Sequence, residues 1–165
     1  MLLGEILHRG VIKTTLESTE KYAVIDELLD LLIETKDLTP AQRVTVREAV
    51  FEREKSMSTG MEMGIALPHG TCGSIENLTG ALGISQGGVD FECLDCEPAH
   101  LVLLLVLPRN EFQVHVRTLA GISHLLNDDK FRALLLNAPD ADAILKLIRK
   151  EERSSIFDGF RRRFK

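Results

Sequence analysis

The 165-residue chain is 44% hydrophobic and 27% charged, with a net charge of −5, values that describe one compact soluble domain. Tryptophan is absent and Tyr22 is the one tyrosine, which excludes an aromatic base-stacking platform. The longest apolar run, Leu101–Leu107, has seven residues against the ~20 a membrane-spanning helix needs.

At this length a fold buries about 70% of the surface of its unfolded chain, so no staple is required. Met1–Leu7 carries no basic region ahead of an apolar stretch and no cleavage pattern, which predicts no signal peptide. Three cysteines without a signal predict a reducing, cytoplasmic compartment rather than a disulfide scaffold. The last 13 residues hold five basic residues and one acid, which leaves −9 on the rest. An acidic body argues against nucleic-acid binding. It suits a basic partner, or phosphate chemistry run locally by a few cations.

Taken in chain order, Met1–Thr15 reads as a short helix or strand with a turn at Gly10. Thr19 is the expected cap of a helix carrying Val24, Ile25, Leu28, Leu29, Leu32 and Ile33. Thr39 caps the next helix and Pro40 opens it. This second helix covers about Ala41–Lys55, with Val46, Ala49 and Val50 inward. A loop follows, Ser56–Gly64. Ile65-Ala66-Leu67 is a short strand that Pro68-His69-Gly70 breaks. Leu78–Ser85 and Leu101–Leu107 are further strands, the second a branched-aliphatic run suited to a position covered on both faces. Gly87-Gly88 is a turn between them. Glu111–Leu126 is an amphipathic helix with Val116, Leu119, Ala120, Ile122, Leu125 and Leu126 as core candidates. His124 falls among them and is expected to be partly buried. Lys130–Leu136 and Ala141–Lys150 are two more helices. Alternating helices and strands predict an α/β fold.

Chemistry has few places to sit. His69 directly follows a strand and a proline that fixes its own φ and holds Leu67 extended. Gly70 leaves space for a bulky group on the ring. A histidine so held can act as nucleophile, base or metal ligand. Taken alone, Pro-His-Gly more often describes a histidine that caps a turn. His115 lies in the first turn of the helix after the apolar strand, where α/β crevices form. A surface histidine fits that position equally well. Arg53, beside Ser58, Thr59 and Gly60, can hold a phosphoryl group through bidentate and hydroxyl hydrogen bonds. Alone, an Arg-Glu-Lys helix end is more often a solvated face. Cys93-Leu-Asp-Cys96 has no second pair of metal-ligand spacing, so Cys93, Cys96 and Cys72 read as ordinary loop cysteines. His8 and His100 read as structural.

Arg53-Glu-Lys-Ser-Met-Ser-Thr-Gly-Met-Glu-Met-Gly-Ile-Ala-Leu-Pro-His69-Gly resembles the active-site signature of the type-2 enzyme IIA domains. These are the mannitol, fructose and nitrogen-class domains of the bacterial phosphoenolpyruvate-dependent phosphotransferase system. Glu20-Lys21 is similar to the family's acidic-Lys helix start. Gly88-Val-Asp-Phe91, the apolar strand ending at Pro108, and His115 followed by Leu119, Leu125-Leu126 and Asp128 also resemble it. The likeness covers residues 3–150.

The resemblance implies a single α/β domain, a mixed β-sheet of about five strands flanked by helices on both faces. It implies a IIA domain over 1–150 and a basic tail over 151–165. It implies that His69 accepts phosphate from the phosphocarrier HPr or a paralogue and passes it to an enzyme IIB in sugar uptake. His115 is then the second active-site histidine and Arg53 the stabilising cation, with Ser58, Thr59 and Gly60 binding. No metal, cofactor, nucleic acid or transmembrane segment is expected. The alternative is a stand-alone nitrogen-class regulator, in which phosphorylation of His69 controls binding to kinases, transporters or transcription factors. A degenerate, partner-binding domain is a third, against which the intact His69 and Arg53 speak. The sequence departs from the family at Glu62 and Cys96, where glycine or a turn residue is usual, and at Asn110–Val114. The tail's apolar positions 156, 157, 160 and 164 suit one face of a helix.

Overall fold

The apolar run becomes the centre of a sheet. The computed structural model describes residues 2–110 and 112–163. Its elements are α1 (Leu3–Ile6), β1 (Ile12–Lys13), α2 (Lys21–Glu34), α3 (Pro40–Ser56), β2 (Ile65–Ala66), β3 (His69–Cys72), β4 (Thr79–Val89), β5 (Ala99–Pro108), α4 (Phe112–Leu126), α5 (Asp129–Leu136) and α6 (Ala141–Arg163). A short 3-10 turn over Arg9–Val11 precedes β1. The chain is a single α/β domain with a five-stranded mixed sheet.

The strand order is β1-β4-β5-β2, with β3 also along β5. β4 and β5 pair antiparallel, while β1 runs parallel to β4 and both β2 and β3 run parallel to β5. Every residue from Leu101 to Leu107 is at most 1% exposed. Side chains alternate between sheet faces, so uniform burial means that both faces of β5 are covered.

Two parts of the sheet differ from the sequence expectation. The strand breaks before Pro68 as expected, but the break is brief. Pro68 removes one donor, and the chain then resumes pairing at His69 against Leu105. Gly87-Gly88 is not a hairpin turn but part of β4, at a register shift between Ile84 and Val89, with Gly88 at φ +77°. The turn signal marks a bulge, which also needs a left-handed residue.

The helices follow their apolar spacing. Val24, Ile25, Leu28, Leu29 and Leu32 of α2 are fully buried. The cap of α2 is Glu20, not Thr19, because Glu20 bridges Asp90 and stays extended. Thr39 and Pro40 open α3 as expected, with Gln42 completing a capping box. Arg47 binds Asp26 through two hydrogen bonds of 2.6 and 2.9 Å and lies over the Phe51 ring, tying α3 to α2.

In α4 the buried stripe is His115, Thr118, Ile122 and Leu126. Val116 is half exposed and Ala120 and His124 are exposed, against the expectation that they pack inward. They sit about 115° to 165° around the helix from the middle of that stripe. Glu111, the expected first residue of α4, lies outside the described residues.

The last helix runs on past Lys150 to Arg163. At the expected seam, buried Glu152 accepts the backbone N–H groups of Leu3 and Gly4, fastening α6 to α1. The tail positions 156, 157, 160 and 164 lie outside the residues whose side chains are described. Among the described residues no helix is long and apolar enough to cross a membrane.

Candidate functional site

Two close approaches place His69. Pro68 stands between β2 and β3, and its carbonyl accepts the Leu105 N–H at 2.9 Å. The next residue but one, Gly70, lies directly beneath α3. A Cβ on Gly70 would meet the Val50 backbone nitrogen at 2.8 Å and the Ala49 carbonyl carbon at 3.0 Å. Gly70 therefore makes room for the α3 backbone, and not for a group on the His69 ring as the sequence suggested. One turn beyond that contact come Arg53 and Glu54, which brings the charged end of α3 to His69.

The His69 ring is partly buried, and its Nδ1 lies 2.8 Å from the Leu67 carbonyl. A carbonyl only accepts, so Nδ1 carries the proton. Nε2 is left with its lone pair. Burial lowers the His69 pKa below the ordinary histidine value; the Leu67 carbonyl opposes this, the Arg53 charge lowers it further, and Glu54 opposes. The net direction favours the neutral ring, the nucleophilic form.

Arg53 is half-buried, and its Nη1 donates to the Met57 carbonyl at 2.8 Å. That bond uses one of its five N–H donors and leaves the others for an anion. It also closes the turn from α3 into the 57–64 loop.

The loop is held from behind by a residue that the sequence did not single out. The Glu54 side chain is fully buried. It accepts the Thr59 N–H at 3.1 and 3.2 Å and the Thr59 hydroxyl, and pairs with Lys21 at 3.0 Å. Ser58 Oγ donates between the Phe91 carbonyl and Glu54 Oε1, and receives the Gly60 N–H at 3.2 Å. Ser58 and Thr59, expected to bind phosphate, thus have their hydroxyls engaged in building the loop. Gly60 is tightly backed: a Cβ there would meet the Phe91 carbonyl at 2.5 Å and Cys93 Sγ at 2.9 Å. The signal for Glu54 was its place in Arg-Glu-Lys, which reads as solvated until the chain folds back at Thr59.

His115 is buried, 5% exposed, and its Nε2 has no hydrogen-bond partner among the described residues. A buried ring nitrogen in that state is uncommon and calls for a ligand or a partner. Two turns along the same helix, Ser123 Oγ lies 4.0 Å from Met61 Sδ, joining α4 to the 57–64 loop. Glu62 is exposed.

His8 and His100 are structural. His8 Nδ1 receives the Gly10 N–H and Nε2 meets Asp37 at 2.9 Å; His100 Nδ1 lies 2.9 Å from the Ser85 carbonyl. Cys72 and Cys93 are buried and Cys96 exposed, all three free. Among the described residues no cluster of histidines, cysteines or carboxylates has the geometry to hold a metal.

The family described as phosphoenolpyruvate-dependent sugar phosphotransferase system, EIIA 2, matches residues 5–151. A fructose-specific EIIABC component of the phosphotransferase system from Bacillus subtilis (strain 168) is 37% identical over 153 residues. That match takes in 93% of this chain and 24% of the relative, so the chain spans about a quarter of the relative's length. A nitrogen regulatory protein from Bradyrhizobium diazoefficiens is 32% identical over 121 residues, covering 73% of this chain and 79% of its own. The crystal structure of nitrogen regulatory protein IIA-Ntr from Neisseria meningitidis superposes with a TM-score of 0.81 at 28% identity, covering 88% of this chain and 98% of that one. The IIA mannitol structure from Escherichia coli shares the fold, with a TM-score of 0.72 at 22% identity over 86% and 98% of the two chains.

Proposed function

Since this chain belongs to the type-2 EIIA family of the phosphoenolpyruvate-dependent sugar phosphotransferase system, and is a phosphoryl-transfer component of it, we propose that Nε2 of His69 is the phosphate acceptor. The hydrogen bond from Nδ1 to the Leu67 carbonyl carries this reading, because it leaves one ring nitrogen able to attack. The lone pair of Nε2 forms a bond to phosphorus as the donor's P–N bond breaks. The electron pair returns to the ring of the phosphocarrier, HPr or a paralogue. The second transfer repeats the exchange toward an enzyme IIB.

Such a loose transition state needs alignment and charge neutralisation more than covalent help. Arg53 supplies the cation: its charge reaches the His69 ring, and the Met57 bond uses only one of its five N–H donors. The orphaned Nε2 of buried His115 supports a role for that ring as a hydrogen-bond partner of the phosphoryl oxygens. Glu54 acts through others: it holds Thr59, and hence the loop, in place. Both the donor and the acceptor are protein side chains, so the residues themselves complete the step.

The fructose-specific relative supports the sugar-uptake reading. A regulatory role, with His69 phosphorylation controlling a protein partner, is the second reading. It is favoured by the nitrogen regulatory protein at 32% identity and by the IIA-Ntr superposition.

Incubation with enzyme I, HPr and labelled phosphoenolpyruvate tests the site. The label is expected to be acid-labile and absent from His69→Ala. Label persisting in that variant overturns the assignment. His115→Ala is expected to accept label but to pass it on slowly, and unchanged onward transfer removes His115 from the site. Chasing the label with candidate IIB proteins separates the two roles: rapid discharge to one of them supports uptake, and none supports regulation.

A further inference from the structure

The phosphoryl chemistry leaves one reactive pair unused. Cys93 and Cys96 are the corners of a tight turn across Leu94-Asp95, closed by the Cys96 N–H on the Cys93 carbonyl at 2.9 Å. A turn of this kind holds its end Cα atoms within about 7 Å, which overlaps the span of about 4.4–6.8 Å that a disulfide bridges. Asp95 pins the turn from inside, accepting the Met63 N–H at 2.7 Å and the Glu97 N–H at 3.1 Å. Cys96 sits at φ +61°, a left-handed conformation that glycine adopts freely and a residue with a Cβ adopts at a steric cost. A cysteine therefore stands where local backbone preference asks for glycine.

The two thiols face different surroundings. Cys96 is exposed to solvent, while Cys93 is buried. The Cys93 sulfur lies 3.9 Å from the Ile65 carbonyl, and with the Phe91 carbonyl it is one of the atoms that a Cβ on Gly60 would strike. It thus forms part of the wall behind the Ser58–Gly60 loop. Its neighbour Glu92 pairs with Lys21 at 2.9 Å, the same lysine that holds Glu54. Cys72 stands apart at the far end of β3, its sulfur against Ser74 Oγ at 3.1 Å.

We propose that Cys93 and Cys96 form a reversible disulfide, made by exchange with small-molecule disulfides, that slows phosphoryl acceptance at His69. The slowing rests on the His69 assignment above; the disulfide does not. Burial pushes the Cys93 thiol up, so the first attack falls to Cys96. Its thiolate attacks one sulfur of the small disulfide and releases one small thiolate. Cys93 then gives its proton to solvent and attacks the Cys96 sulfur of the mixed disulfide, releasing the second small thiol. Two protein thiols are oxidised and one small disulfide is reduced to two thiols. To reach Cys96, the Cys93 sulfur swings away from Ile65 and Gly60. The loop loses its backing, and the alignment at His69 loosens.

The test uses the full chain, oxidised glutathione as oxidant and dithiothreitol as reductant. Intact mass and peptide mapping read the bond, and phosphate uptake from phospho-HPr reads the rate. The expected result is a Cys93–Cys96 link, uptake slower by about fivefold or more, and recovery on reduction. Cys96→Ser is expected to form no internal link and to keep the reduced rate in oxidant. Absence of the link, a link through Cys72, or an unchanged rate in the linked form overturns the proposal. If the reduced chain takes no phosphate at all, the His69 assignment is what fails. The amide NMR shifts of Gly60 and Ile65 then decide: movement on oxidation supports the coupling, and unmoved amides overturn it.

Discussion

Glu54 and Thr59 are joined twice, through the Thr59 backbone N–H and through its hydroxyl, by one carboxylate that no solvent reaches. The five-residue span between them is the whole passage from helix to site loop. Lys21 closes the arrangement from α2.

Removing that carboxylate is expected to damage the loop and the fold together. Glu54→Ala leaves the buried Thr59 N–H without a partner and Lys21 with Glu92 as its remaining carboxylate, a cost of ~2 kcal/mol. Glu54→Gln keeps one acceptor oxygen and is expected to lose roughly half as much. Phosphate uptake is expected to fall by about tenfold in Glu54→Gln, through misplacement of the loop. Urea unfolding and single-turnover uptake measure the two effects. A Glu54→Gln protein with wild-type uptake shows that the loop does not need this anchor.

The charge of Arg53 bears on His69 in a way that pH exposes. Arg53 lowers the His69 pKa, so Arg53→Gln is expected to raise it. The folded state already holds this proton less tightly than the unfolded chain does. As pH falls below the ordinary histidine value, the unfolded state binds protons first, and the contribution of His69 to stability declines through that window. It is fully present above the unfolded value. At pH 6 the wild-type ring is expected to keep more of its nucleophilic neutral form than the Arg53→Gln ring does. NMR titration of the His69 ring carbon checks this. An Arg53→Gln midpoint that stays put or moves down removes Arg53 from the site.

The contact between Gly70 and α3 makes a sharper claim about the fold. Gly70→Ala forces a methyl group to within 2.8 Å of the Val50 nitrogen, against backbone that has no rotamer to yield. The expected loss is ~2–3 kcal/mol, with a drop in uptake as α3 and Arg53 are pushed from His69. Gly87→Ala serves as the control, since nothing lies within 4 Å of its added carbon. Thermal melts of the two variants decide the matter: equal losses would show that α3 accommodates the methyl group.

What the sequence determined by itself was local. The spacing of Val24 to Leu32 produced α2, Thr39-Pro40 opened α3, and the aliphatic run became β5, because periodicity and capping are properties of neighbouring residues. The signature around Pro68-His69-Gly70 pointed to the site through resemblance, though His69 alone reads more readily as a turn histidine. The cap of α2 could not be read, because Glu20 is held extended by Asp90, seventy residues away. Nor could β3, since a proline within an edge strand looks the same as a proline that ends one until a partner strand is present.

The site depended on the same kind of distant contact. Gly70 looked like room for a ligand and proved to be room for α3. Glu54 looked solvated and proved fully buried against Thr59 and Lys21. Composition and charge described an acidic body with a few well-placed cations. The tertiary structure decided which cation meets the histidine and which ring nitrogen is free. The first depends on α3 packing over β3, and the second on the backbone turn that aims the Leu67 carbonyl back at the ring, so that burial and hydrogen-bond partners set the chemistry.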